Sequence, residues 1–246
     1  MADLKNLSVE EFAAVTGSDA PAPGGGSVAA LAGGLGAALA EMVANLTIGK
    51  AKYADVEEEM KGLAAEGAAL RKELIDSIQK DTESFTAYMN ALGMPKNTDE
   101  EKAARKEAMQ NGLKEAAEVP LAVAETALKI FHVAGAVVER GNANAVTDGL
   151  VASMMARTAV LSALLNVKIN LGSIKDEEFV ARMAAKVAEL EKAAMDGEKA
   201  VMDYEKKRDE LQKISVLLSA KAGKTADAVD KMKNELMMTQ AKLSEM

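Results

Sequence analysis

A chain of 246 residues with 49% hydrophobic and only 3% aromatic residues has enough apolar mass for a sizeable core, yet few strand formers. It has no cysteine and one histidine, His132, which excludes disulfides, thiolate metal sites, a cysteine nucleophile and histidine-rich metal centres. A formal charge of −8 argues against nucleic acid as a partner, because phosphate binding needs a basic surface.

Abundant Ala, Leu, Met, Glu and Lys predict an all-α protein, a bundle of long antiparallel helices around one alanine- and glycine-rich central helix. The first residues lack the cationic and then apolar pattern of a secretory leader, so a cytoplasmic setting is expected.

Ser8-Val-Glu-Glu11 reads as a capping box for a short helix with Leu7, Phe12 and Val15 on one side, ending near Gly17. Pro21-Ala-Pro-Gly-Gly-Gly-Ser27 has too much proline and glycine for helix or ordinary strand. Ser27 is expected to cap a helix that begins at Val28 and runs to about Gly49. The main chain of Gly24, Gly25, Gly26 and Ser27 would then present unpaired N–H groups at a helix start, suited to an anionic or carbonyl-bearing ligand. A flexible loop ahead of a capped helix is the plainer alternative. No Lys-Ser or Lys-Thr follows the glycines and no strand precedes them, so phosphate-loop and dinucleotide motifs are excluded. The apolar run before Glu41, about 13 residues, is short of the ~20 that a bilayer requires, which favours a buried helix over a membrane span.

Lys50 and Lys52 either capture an acidic substrate tail or complement a helix C-terminus. Asp55-Val-Glu-Glu58 predicts another capped helix, with Met60, Leu63, Leu70, Leu74, Ile78 and Phe85 at helical spacing as far as Met89. Asp81 lies one turn from that stripe, where it is either solvated or turned toward a cleft. Thr98-Asp-Glu-Glu101 caps the next helix, and Pro120 predicts a kink or a new start within it. His132, between Phe131 and Val133, reads as a hydrogen-bonded structural residue.

Gly141 should stop that helix, and Asn144 or Thr147 should cap the following one. Asn142, Asn144 and Asp148 still concentrate hydrogen-bonding groups beside an apolar helix, and Asn166 and Asn170 repeat the chemistry one turn apart. Asp176 caps a helix from Glu177 to roughly Lys207 with Phe179, Met183, Val187, Leu190 and Met195 on its inner side. Residues 208–246 form a more polar helical extension, with a stop and start near Gly223 and Thr225. The expected division is thus 1–207 and 208–246.

Pro21-Ala-Pro-Gly-Gly-Gly-Ser-Val-Ala-Ala-Leu-Ala32, Met42-Val-Ala-Asn-Leu-Thr47 with Lys52-Tyr53, Gly141-Asn-Ala-Asn-Ala-Val-Thr-Asp148 and Asn166-Val-Lys-Ile-Asn170 together resemble the cyclodeaminase/cyclohydrolase family. That family includes the C-terminal half of formiminotransferase-cyclodeaminase and stand-alone methenyltetrahydrofolate cyclohydrolases. The resemblance runs from about Leu4 to Lys207. It implies an all-helical homodimer with a site near the subunit contact, a tetrahydrofolate substrate, and no metal or further cofactor.

On that resemblance the chain is expected to act as a cyclohydrolase on 5,10-methenyltetrahydrofolate, because it carries no formiminotransferase portion. A cyclodeaminase releasing ammonia from 5-formiminotetrahydrofolate is the alternative, and a non-catalytic helical dimer or scaffold is the alternative of another class. Asp148 is the first choice for proton transfer and Asp81 the second. Gly24 to Ser27, Lys50, Lys52, Asn142, Asn144, Asn166 and Asn170 are expected to hold the substrate. No nucleic acid or membrane partner is expected.

Overall fold

The computed structural model describes residues 3–244; residues 1–2 and 245–246, with the outer limits of the sequence-based domains, lie outside it. Among the described residues every regular element is helical. The helices are α1 (Val9–Thr16), α2 (Gly25–Asn45), α3 (Glu57–Leu92), α4 (Asp99–Leu128), α5 (Ile130–Arg140), α6 (Val146–Leu171) and α7 (Glu177–Ser244), with 3-10 turns at Leu4–Asn6, Ala51–Val56 and Ala143–Ala145. Contacts divide the chain into two compact units, Met1–Asp203 and Tyr204–Met246.

In the first unit α2 is the axis. Ala29, Ala30, Ala37, Ala40, Val43 and Ala44 are buried on it, sandwiched between α3 and α6, which both run antiparallel to it. Glycine makes the sandwich possible. A Cβ on Gly36 would stand 3.0 Å from the Met155 Cβ and 3.1 Å from the Ala152 carbonyl, and one on Gly34 2.8 Å from Ile75. Small residues thus let three backbones approach closely and fill the core with methyl groups in place of large side chains. The α3 stripe is buried as the spacing predicts through Met60, Leu63, Leu70, Leu74 and Ile78. Phe85 is only half-buried and Met89 is exposed, because α3 there leaves the core for a cavity wall.

Both capping boxes at Ser8–Glu11 and Thr98–Glu101 form, each with reciprocal side-chain bonds. Four other helix ends differ from the sequence expectation. α2 starts three residues earlier, at Gly25, with Gly24 as N-cap, and ends at Asn45. No capping box forms at Asp55, since a 3-10 turn leads into α3 and Val56 precedes it without a side-chain bond; Glu57, Glu58 and Glu59 complement the dipole instead. Ala145, not Asn144 or Thr147, precedes α6, and Asn142 caps the 3-10 turn before it by accepting the Asn144 N–H at 3.1 Å.

Pro120 neither breaks nor restarts α4, which ends at Leu128. A proline cannot donate to the carbonyl four residues back, which is that of Ala116. Asn170 of α6 reaches across and donates its Nδ2 to the Ala116 oxygen at 2.7 Å, so the freed acceptor is satisfied. On α7 the inner stripe runs Phe179, Met183, Val187, Leu190, Ala194 and Val201, while Met195 turns outward. One residue is 100° around a helix, enough to exchange the two.

The second unit is helical as far as Ser244, with no stop at Gly223; Thr225 donates its hydroxyl to the Lys221 carbonyl at 3.0 Å and does not begin a new helix. The stretches Gly25–Asn45, Asp99–Arg140 and Ala143–Leu171 are long and apolar enough, by length and composition, to cross a membrane. For α2 this corrects the short apolar count, since the helix continues past Glu41, which is half-buried and paired with Arg71 at 2.7 Å. About half of each such window is buried inside the bundle.

Candidate functional site

The start of α2 has no side-chain cap of its own. The cap comes from another helix. Asp81, on α3, places Oδ2 2.8 Å from the Ser27 hydroxyl and also accepts the Ser27 main-chain N–H. Ser27 is fully buried, its hydroxyl 3.2 Å from the Ile78 carbonyl and 3.4 Å from Thr82 Oγ1. Its role is therefore not the N-cap that its position suggests, but a clamp on a carboxylate drawn from 54 residues away.

Gly26 is what admits that carboxylate. A Cβ there would lie 2.1 Å from Asp81 Oδ1, inside any permissible contact. Gly25 stands in the same relation to α6, its absent Cβ 3.0 Å from Asn166 Nδ2. Burial pushes the Asp81 carboxyl above its ordinary range, while the two Ser27 donors oppose the shift without cancelling it. A half-buried carboxyl with a raised pKa, held rigidly beside open helix amides, is suited to proton transfer.

A cavity of about 320 Å³ opens over this arrangement, bounded by Pro21, Ala22, Gly24 to Gly26, Asp81, Phe85, Asn166 and Asn170. Asn166 Nδ2 donates to the Ser162 carbonyl at 2.9 Å, and Asn170 Nδ2 to the carbonyls of Ala116 and Asn166. These bonds use one N–H of Asn166 and both of Asn170, so the two Oδ1 atoms remain as acceptors for a ligand's N–H groups. Among the described residues no three His, Asp or Glu side chains are grouped to hold a metal ion.

The remaining sequence candidates gather at the other end of α2 and α6. Asn142 is buried, donating its N–H to Thr47 Oγ1 at 2.8 Å and its Nδ2 to the Leu46 carbonyl at 3.1 Å. The Ala143 N–H donates to the Tyr53 hydroxyl at 2.9 Å. Lys50 and Lys52 are exposed nearby in sequence, with Lys52 Nζ 5.3 Å from the Tyr53 ring centre. Gly49, at φ +75°, makes the turn that joins them to α2.

Asp148 opens α6, eighteen residues before Asn166, which is roughly 27 Å at helical rise. Within one chain, then, Asp148, Asn142, Asn144, Lys50 and Lys52 do not share a cavity with the glycine loop, whereas Asp81 faces it. His132 is exposed and hydrogen-bonded, its Nδ1 3.3 Å from Glu66 Oε1, a surface link between α5 and α3 that agrees with the hydrogen-bonded role expected from sequence. Thr82, Ser84 and Ile169 also line the cavity without having been singled out from sequence, and Phe85, read there as a position of the apolar stripe, lines it too; the polar run Lys80-Asp-Thr-Glu-Ser-Phe85 is the available signal for the residues on α3.

Residues 8–189 match the formiminotransferase-cyclodeaminase family. The chain belongs to that family. The motifs read from sequence therefore named the right lineage. A methenyltetrahydrofolate cyclohydrolase of Methylorubrum extorquens is 45% identical over 174 residues, 71% of this chain and 84% of the relative. The formimidoyltransferase-cyclodeaminase of Rattus norvegicus is 35% identical over 187 residues, 76% of this chain but 35% of the relative, so the chain spans about a third of that larger protein. Among solved structures, a formiminotetrahydrofolate cyclodeaminase of Thermotoga maritima superposes with a TM-score of 0.74 at 34% identity, over 83% of this chain and 98% of that one. Family membership accords with the helical bundle, which is built as expected.

Proposed function

We propose that the protein is a methenyltetrahydrofolate cyclohydrolase, with Asp81 as the group that moves the proton. The observation that carries this reading is the carboxyl of Asp81, clamped by Ser27 and raised in pKa, in a cavity that also offers two carboxamide oxygens and the first amides of α2. The pterin presents N–H donors for Asn166 and Asn170 and a carbonyl for the Gly25 and Gly26 amides. The methenyl bridge between N5 and N10 is cationic, so the Asp81 carboxylate both attracts it and takes a proton from the attacking water. Water adds to the bridge carbon, giving a hydroxylated tetrahedral centre. The bond from that carbon to N5 then breaks and the carbon stays on N10 as formyl. One water is consumed and one proton is released.

The 34% identity to a formiminotetrahydrofolate cyclodeaminase supports a second reading. There N10 attacks the formimino carbon on N5, and protonated Asp81 donates to the departing ammonia. Purified protein separates the two: loss of methenyl absorbance in water supports the hydrolase, and ammonia release from 5-formiminotetrahydrofolate supports the deaminase. Neither activity would return the chain to a scaffold.

We also propose a cytoplasmic homodimer that needs no metal, nucleic acid or membrane. Val28, Leu35 and Met42 on α2 and Val151, Met154, Leu165 and Ile169 on α6 are exposed, an apolar face along the whole bundle. A twofold, end-to-end pairing of this face would bring Asp148, Lys50, Lys52, Asn142 and Asn144 of the partner to the glycine loop. Mixing equal amounts of Asp81→Asn and Asp148→Asn proteins, each inactive alone, should then restore about a quarter of the wild-type activity, because roughly half of the dimers are mixed and each of these has one intact site of two. No recovery after subunit exchange, verified by differently tagged chains, would refute the shared site.

A further inference from the structure

The polar cavity has an apolar neighbour. A second hollow, of about 370 Å³, is lined by Leu4, Val15, Phe85, Thr86 and Met89 together with the Pro21–Ala22 segment. The two share Pro21, Ala22, Thr82 and Phe85 as common walls. Along α3 the change from one to the other takes about one turn: Asp81 and Ser84 line the polar side, Thr86 and Met89 the apolar side, and Thr82 and Phe85 serve both.

We propose that this hollow is the subsite for the aminobenzoyl ring of the reduced folate whose pterin lies against Asp81. The inference rests on the folate reading above. A reduced folate has two ring systems of unlike polarity joined by a short bridge, and its one-carbon unit spans the atoms at that bridge. A polar and an apolar cavity with a common wall match those two rings. The reacting carbon then falls at the boundary, within a turn of Asp81.

The chemistry of the walls fits a ring. Phe85 supplies an aromatic surface, and Leu4, Val15, Pro21 and Met89 supply apolar contact. Thr86 donates its hydroxyl to the Thr82 carbonyl at 2.8 Å, so that polar atom is already engaged within α3. The walls are also anchored. The Leu4 N–H donates to Gln79 Oε1 at 3.2 Å and Lys5 pairs with Asp76 at 2.9 Å, which fastens the Leu4–Asn6 turn to α3. Phe12 is buried and fastens α1, which carries Val15.

The test uses two probes, 5-formyltetrahydrofolate and 5-formyl-6-methyltetrahydropterin, which lacks the aminobenzoyl group. Calorimetry is done on the wild-type chain and on two variants that fill the hollow from opposite walls, Thr86→Phe on α3 and Val15→Phe on α1. Wild type should bind the folate at least tenfold tighter than the pterin. Either folded variant should weaken folate binding at least tenfold and pterin binding less than twofold. Unchanged folate affinity in both variants, or an equal loss for both probes, overturns the subsite while leaving the pterin site standing. Failure of wild type to bind either probe overturns the folate reading and the subsite with it.

Discussion

Asp81→Asn should lower turnover at least a hundredfold while changing the affinity for 5-formyltetrahydrofolate, which lacks the cationic bridge, less than about threefold. Asparagine keeps the shape and an acceptor oxygen for the Ser27 hydroxyl and N–H, so the start of α2 remains capped. What it removes is the exchangeable proton, and a positioned acid or base accounts for ~10²–10⁴ in rate. The pH profile gives the sign. For the hydrolase the active form is the carboxylate, so turnover falls as pH drops through the Asp81 value, which burial sets above the ordinary aspartate range. The residual activity of Asp81→Asn should lose that limb.

Stability moves oppositely. The fold favours protonated Asp81, so the destabilisation from its charge is absent below the unfolded value and fully present above the folded one. Compared with wild type, Asp81→Asn should gain relative stability as pH rises through that interval. A urea-melting series at several pH values measures the difference. Loss of stability at neutral pH would make Asp81 a structural cap and remove its catalytic role.

Gly26→Ala is the second large effect. Its new Cβ would meet Asp81 Oδ1 at 2.1 Å, so the carboxylate or the first turn of α2 must move. Overpacking of this kind costs about 1–3 kcal/mol, against a helix-propensity gain of ~1 kcal/mol for replacing glycine by alanine. The expected outcome is a modest loss of stability with a loss of turnover comparable to Asp81→Asn. In an Asp81→Ala background the clash is gone, and Gly26→Ala should then be neutral or stabilising. Equal stability loss in both backgrounds would mean that the glycine serves the backbone and not the carboxylate.

The helical class and most helix limits were legible because periodicity and capping are local: Ser8–Glu11 and Thr98–Glu101 each specify themselves within four residues. The misread ends have tertiary causes. Nothing near Ser27 indicates that Asp81 will cap its helix, and nothing near Pro120 indicates that Asn170 will satisfy the carbonyl it frees. The candidate site was legible as a set of residue types and not as a place. Asn166 and Asn170 stand out by their one-turn spacing, and Asp148 by its place beside Asn142 and Asn144. Only the antiparallel packing of α2 on α3 and α6 determines which of them meets the glycine loop.

The central claim is that a reduced pterin lies between the first turn of α2, Asp81 and the two carboxamides of α6. A crystal structure of the Asp81→Asn protein with 5,10-methenyltetrahydrofolate tests it most directly. The pterin should contact Asn166 and Asn170, with the bridge carbon beside residue 81 and its carbonyl toward Gly25 and Gly26. A folate that touches none of these five residues would contradict the account.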